Sequence, residues 1–132
     1  MSPTEPATPP PDEFDPPRPR VALCEPDALL HALLDEWLKR ADLEPVRAAD
    51  ASEKSVALVV ADVCAPRQDG AAYIAGLRHR FPHAKVLAIS AQFMPGLRGT
   101  TTASVELGAD AVLAKPFAAK VFIDAVHALM GS

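Results

Sequence analysis

Val56-Ala57-Leu58-Val59-Val60-Ala61-Asp62 is the stretch that decides the fold. Six apolar residues run without alternation and stop at a carboxylate. A strand with one wet face alternates. One with no polar position in six is covered on both faces, as in a parallel sheet between two helical layers. The pattern repeats outward from there. Residues 21–24, 85–89 and 111–114 are short apolar runs of the same kind, and Pro45-Val46-Arg47 is a weaker fifth. Between them, apolar residues recur at helical spacing. Leu29, Leu30, Leu33, Leu34, Trp37 and Leu38 make one broad face over about 27–40. Residues 71–80 carry Ile74 and Leu77, with Phe81 following, and Pro82 stops that helix. Residues 102–107 form a short helix closed by Gly108 as a left-handed cap. Val121, Phe122, Ala125, Val126 and Leu129 share one side of 118–130. Strands alternating with helices predict βαβ crossovers and an α/β domain on a parallel sheet of five strands.

The chain has 132 residues, enough for one domain, of which 49% are apolar and 23% charged. Thirteen basic residues face 17 acidic ones, for a net charge of −4. That balance offers no basic patch to a phosphate backbone, so no nucleic-acid partner is expected. No apolar run approaches the roughly 20 residues a bilayer needs. No basic-then-apolar start resembles a signal peptide. The expectation is a cytoplasmic protein with no membrane contact. Cys24 and Cys64 are too few for a disulfide scaffold and read as two reduced thiols. Residues 1–20 stand apart, holding eight of the 14 prolines and almost nothing apolar. Such a stretch cannot offset its ordering entropy, so 1–20 is expected to be a disordered proline-rich tail and 21–132 the folded domain.

Open sheets of this kind bind ligands beyond the carboxyl ends of their strands. Glu25 and Asp27 follow the first strand, Asp62 ends the 56–61 run, Ser90 ends the next, and Lys115 ends the last. Carboxylates gathered at about 4 Å repel by on the order of 4 kcal/mol per pair at an effective dielectric near 20. They need cations. Lys115 supplies one, and a divalent ion with oxygen ligands, Mg2+, supplies the rest. A carboxylate beside such charges can attack phosphorus, with Ser90 donating to a phosphoryl oxygen. Asp62 is then the acceptor of an aspartyl phosphate.

Asp62-Val63-Cys64-Ala65-Pro66-Arg67-Gln68-Asp69-Gly70 resembles the acceptor-aspartate loop of response-regulator receiver domains, with a proline four residues on and Asp-Gly at seven and eight. Ala88-Ile89-Ser90-Ala91 is similar to that family's strand end with Ser or Thr before Ala. Residues 107–117, Leu-Gly-Ala-Asp-Ala-Val-Leu-Ala-Lys-Pro-Phe, are similar to its Gly-Ala … Lys-Pro-Phe pattern. The order holds over 21–130. The resemblance implies a flavodoxin-like three-layer sandwich with strand order 2-1-3-4-5. It implies phosphotransfer to Asp62 from a sensor histidine kinase or histidine phosphotransfer protein. It implies that Lys115 pairs with the phosphoryl group, that the Lys115–Pro116 peptide is cis, and that Ser90 moves toward the phosphate. The metal set it implies is Glu25, Asp62 and the backbone carbonyl of Cys64, with the Cys64 and Gln92 side chains beside the water that removes the phosphate.

Three departures stand out. Pro26 occupies the place of the family's second acid, so Mg2+ binding is expected to be weak, with Asp27 either a substitute ligand or the N-cap of the first helix. Val112 stands where the family's rotating aromatic ring is usual. Only residues 50–55 separate the second strand from the third, so the second helix is expected to be shortened or absent, and the 92–101 loop is correspondingly long. With only Gly131-Ser132 after Met130, the expectation is a stand-alone domain, monomer or weak dimer, signalling to an unknown downstream protein by contact. It is a switch rather than an enzyme. The alternative is a degenerate receiver that serves as a phosphorylation-independent interaction module. A phosphohydrolase on this fold is the poorer reading, since the second acid it wants falls at Cys64.

Overall fold

A computed structural model of the chain describes residues 18–51 and 56–131. Most of the expected tail, residues 1–17, lies outside the described residues. Arg18 and Pro19 are exposed, and Arg20 already belongs to the first strand.

The apolar runs are strands: β1 Arg20–Cys24, β2 Glu44–Arg47, β3 Val56–Asp62, β4 Lys85–Ser90 and β6 Ala111–Ala114. Helices α1 Ala28–Arg40, α2 Gly70–Arg80, α3 Thr102–Leu107 and α4 Ala119–Met130 alternate with them. Five strands are parallel and lie in the order β2-β1-β3-β4-β6, the expected arrangement. A sixth was not expected. β5, Arg98–Gly99, runs antiparallel along the outer edge of β6 and closes the sheet. Two residues carry no periodicity, so the sequence pattern has nothing by which to signal it. Gly96 and Gly99 hold φ of 83° and 84° and let the chain double back there.

The uninterrupted run in β3 is covered on both faces. Val59 and Ala61 point into one core with Ile74, Leu77, Phe81 and Leu107, contributed by α2, its cap and α3. Leu58 and Val60 point into the other with Leu34, Leu38, Phe122 and Val126 from α1 and α4. This period of two inside a non-alternating sequence is what a three-layer sandwich requires. Trp37, read as a core residue, packs against the second core. Its ring meets Phe117 and Phe122 at centroid distances of 6.4 and 6.0 Å, and those two phenylalanines stack at 5.7 Å.

The second helix is reduced as expected. After β2 there is one 3-10 turn, Ala48–Asp50, and residues 52–55 lie outside the described residues. Arg80 donates to the Ala48 carbonyl and its guanidinium lies 4.7 Å from the Phe81 ring centroid, tying this turn to the end of α2.

Candidate functional site

Each polar residue at a strand end is placed there by the sheet register. Asp62, the last residue of β3, pairs with Ile89, so Ser90 stands one step beyond it on β4. Ser90 pairs with Ala114, and the Lys115 backbone N–H donates to the Ser90 carbonyl at 3.0 Å. Cys24, ending β1, pairs with Ala61, which puts Glu25 beside Asp62. Parallel in-register strands thus bring residues 25, 62, 90 and 115 to one rim.

Lys115 is the hub. Its Nζ lies 2.8 Å from Glu25 Oε1 and 2.8 Å from Asp62 Oδ1. The Glu25 side chain is 1% exposed and that of Asp62 is 10% exposed. Burial works to lower the Lys115 pKa, but the hydrogen bonds and charges of Asp62 and Glu25 outweigh it and hold the ammonium above its ordinary 10.5. The peptide between Lys115 and Pro116 is cis. Ser90 is fully buried, and its hydroxyl accepts a hydrogen bond from the Gln92 N–H at 3.0 Å. The Cys64 thiol is exposed and donates to Asp62 Oδ2 at 3.5 Å. That hydrogen bond, then the carboxylate's charge, pushes the thiol pKa up, so it remains an S–H donor.

Asp27 is the residue whose carboxylate goes elsewhere. Its Oδ1 accepts from the backbone N–H groups of Leu29 and Leu30 at 2.9 and 3.1 Å, an N-cap of α1. Its contribution to the rim is its backbone: the Asp27 N–H donates to Glu25 Oε2 at 2.9 Å. Of the two roles open to it in the sequence, the cap is the one observed. Replacing Asp27 with Ala is therefore expected to cost about 1 kcal/mol of stability and to leave the affinity for Mg2+ unchanged. Urea denaturation and a Mg2+ titration followed by backbone amide shifts check the two halves.

Among the described residues, no group of three or more His, Cys, Asp and Glu is arranged to hold a metal ion. The oxygen donors present still suit one kind of ion. Glu25 Oε1 is buried against the Lys115 ammonium at 2.8 Å, and its other carboxylate oxygen accepts from the Asp27 N–H. Mg2+ commonly rests on one or two carboxylates, with waters and a substrate phosphate completing its octahedron. Glu25 and Asp62 supply two carboxylates of that kind.

Next to the rim lies a cleft of about 610 Å3, over the C-terminal ends of β1 and β3. Ala48, Ala49, Val63 and Tyr73 form part of its walls, and Glu25, Asp62 and Cys64 part of its margin. Tyr73 was not singled out by sequence. Its hydroxyl meets the Cys24 thiol, and burial is the first cause raising both pKa values. A tyrosine on a weakly amphipathic helix gives no sequence signal of that contact.

No family model and no curated protein matches the chain. Solved structures do match it. A response regulator from Thermotoga maritima is 22% identical with a TM-score of 0.69, covering 87% of this chain and 99% of that one. The non-phosphorylated HemR receiver domain from Leptospira biflexa is 22% identical at 0.67, covering 87% and 96%. The signal receiver domain of a putative LuxO repressor protein from Vibrio parahaemolyticus is 21% identical at 0.67, covering 86% and 91%. The chain has the response-regulator receiver fold. Among the described residues, no helix is long and apolar enough to cross a membrane.

Proposed function

We propose that this chain is a response-regulator receiver domain of two-component signalling that accepts a phosphoryl group on Asp62. The donor is a phosphohistidine on a sensor kinase or phosphotransfer protein in the cytoplasm, and the output is a protein contact. One observation carries the reading: Lys115 Nζ stands 2.8 Å from both Asp62 and Glu25, at the carboxyl edge of a receiver-fold sheet. In the reaction an Asp62 oxygen attacks phosphorus, the P–N bond breaks, and the imidazole leaves as a neutral base after taking up a proton. Lys115 neutralises charge on the transferring oxygens, and the Ser90 hydroxyl donates to one of them. Glu25, Asp62 and the Cys64 carbonyl would hold Mg2+, which supplies further charge neutralisation when bound. The added charge of about −1.5 to −2 is the signal. The protein then acts as a switch that at most dephosphorylates itself slowly.

A degenerate receiver that signals without phosphorylation is the second reading. Pro26 in place of an acid and the capping role of Asp27 favour it, because together they leave two carboxylates for the metal. Incubation with Mg2+ and acetyl phosphate, or with a cognate kinase, followed by intact-mass measurement, separates the two. Gain of one phosphoryl group supports the switch, and none under either treatment supports the scaffold.

A further inference from the structure

After β2 the chain makes one 3-10 turn, Ala48–Asp50, where the other crossovers between parallel strands carry helices. The cleft of about 610 Å3 opens beside that turn. Its size falls within the range of about 300 to 1,000 Å3 in which small organic molecules are held. Its walls are chiefly apolar, built from Leu23, Pro26, Ala48, Ala49, Val63 and Tyr73. The Tyr73 side chain is 40% exposed, so its ring offers a flat aromatic face on the α2 side.

The polar groups around the cleft are mostly acceptors. Asp62 and Asp69 both border it. Asp62 Oδ1 is held by Lys115, whereas Oδ2 accepts from the Cys64 thiol at 3.5 Å, a weak donor. Asp69 is exposed, and its side chain does not cap α2. His31 lines the cleft as well, and its Nε2 is buried with no hydrogen-bond partner, the mark of a wall that an occupant completes. Among the described residues that line the cleft, Arg47 is the one cation. Apolar walls with acceptors left over select a molecule that brings an apolar body, donors and positive charge.

We propose that this cleft is a binding site for a small organic amine with an aromatic body, its ammonium set against Asp62 and Asp69 and its ring against Val63 and Tyr73. A cation seated on Asp62 competes with Mg2+ for that carboxylate and neutralises the oxygen that attacks phosphorus. The occupied protein is therefore held unphosphorylated. That consequence rests on the phosphoacceptor reading above, and the binding itself does not.

The probe is tryptamine, titrated into the full chain and followed by backbone amide shifts. Indole-3-acetate carries the same ring with the opposite charge, and ethylamine carries the charge without the ring. Saturable shifts at Ala49, Val63 and Tyr73 are expected with tryptamine and not with the other two at the same concentration. Asp69→Asn is expected to weaken tryptamine about threefold, the scale of one exposed ion pair. Tyr73→Ala is expected to weaken it at least about fivefold, while Tyr73→Phe, which keeps the ring, binds as the parent does. Saturating tryptamine is expected to lower phosphoryl uptake from acetyl phosphate, read by intact mass, where ethylamine leaves it unchanged. Shifts spread over the whole surface, or equal shifts with indole-3-acetate, overturn the site. So does an affinity that neither Asp69→Asn nor Tyr73→Ala alters. Localised shifts with undiminished uptake overturn the competition at Asp62. A parent that takes up no phosphoryl group even without tryptamine overturns the acceptor reading, while the shifts still decide the cleft.

Discussion

Asp62→Asn is expected to take up no phosphoryl group from acetyl phosphate, where the parent is expected to take up one. The amide keeps the size of the carboxylate and its place at the end of β3, so the crevice is preserved. It loses the anionic oxygen that the proposed transfer requires to attack phosphorus. It also loses its half of the ion pair that orients Lys115. The expected loss is complete on the scale of an intact-mass measurement, because the other hydroxyl on this rim, that of Ser90, is fully buried. Equal uptake by parent and variant would move the acceptor to another residue and remove the role assigned to Asp62.

Lys115→Met is the second large effect, on stability as well as on phosphate uptake. Glu25 and Asp62 lose the ammonium they share and face each other with no cation between them. Breaking a buried pair by removing one partner costs several kcal/mol. Here the rim is partly open to water at Asp62, so about 3 kcal/mol is expected, read as a lower urea midpoint at pH 7. The pH dependence has a definite sign. A lysine whose folded pKa is raised above its unfolded value stabilises the fold at all pH below the unfolded value, and the stabilisation fades as pH rises through the folded one. The parent should therefore lose stability above about pH 10.5, the ordinary lysine value. Lys115→Met should lack that component of the decline. A parent and variant with parallel profiles from pH 7 to 11 would show that the ion pair contributes nothing to the fold.

The arrangement of the core was legible because it rests on long-range patterning. The six apolar residues of β3 read as a doubly covered strand, and the helical stripes between the strands read as helices packed on the sheet. Lys115, Ser90, Asp62 and Glu25 were legible for the same reason: residues that end parallel strands must share an edge. The remainder depends on local competition that composition does not report. Asp27 follows a strand and precedes a helix, and both places suit an aspartate. Only the hydrogen bonds to Leu29 and Leu30 show which role it has taken. β5 is set by two glycines in the left-handed region and by an edge in need of cover, and neither leaves a period in the sequence. The Tyr73–Cys24 contact is a tertiary meeting of two elements that no spacing rule connects.

Backbone amide spectra recorded while beryllofluoride and Mg2+ are titrated into the intact chain test most directly whether these strand ends form one phosphoryl site. Concerted, saturable shifts at Asp62, Ser90 and Lys115, abolished by Asp62→Asn, are the predicted result. Spectra that stay unchanged at all three residues at saturating beryllofluoride would contradict it.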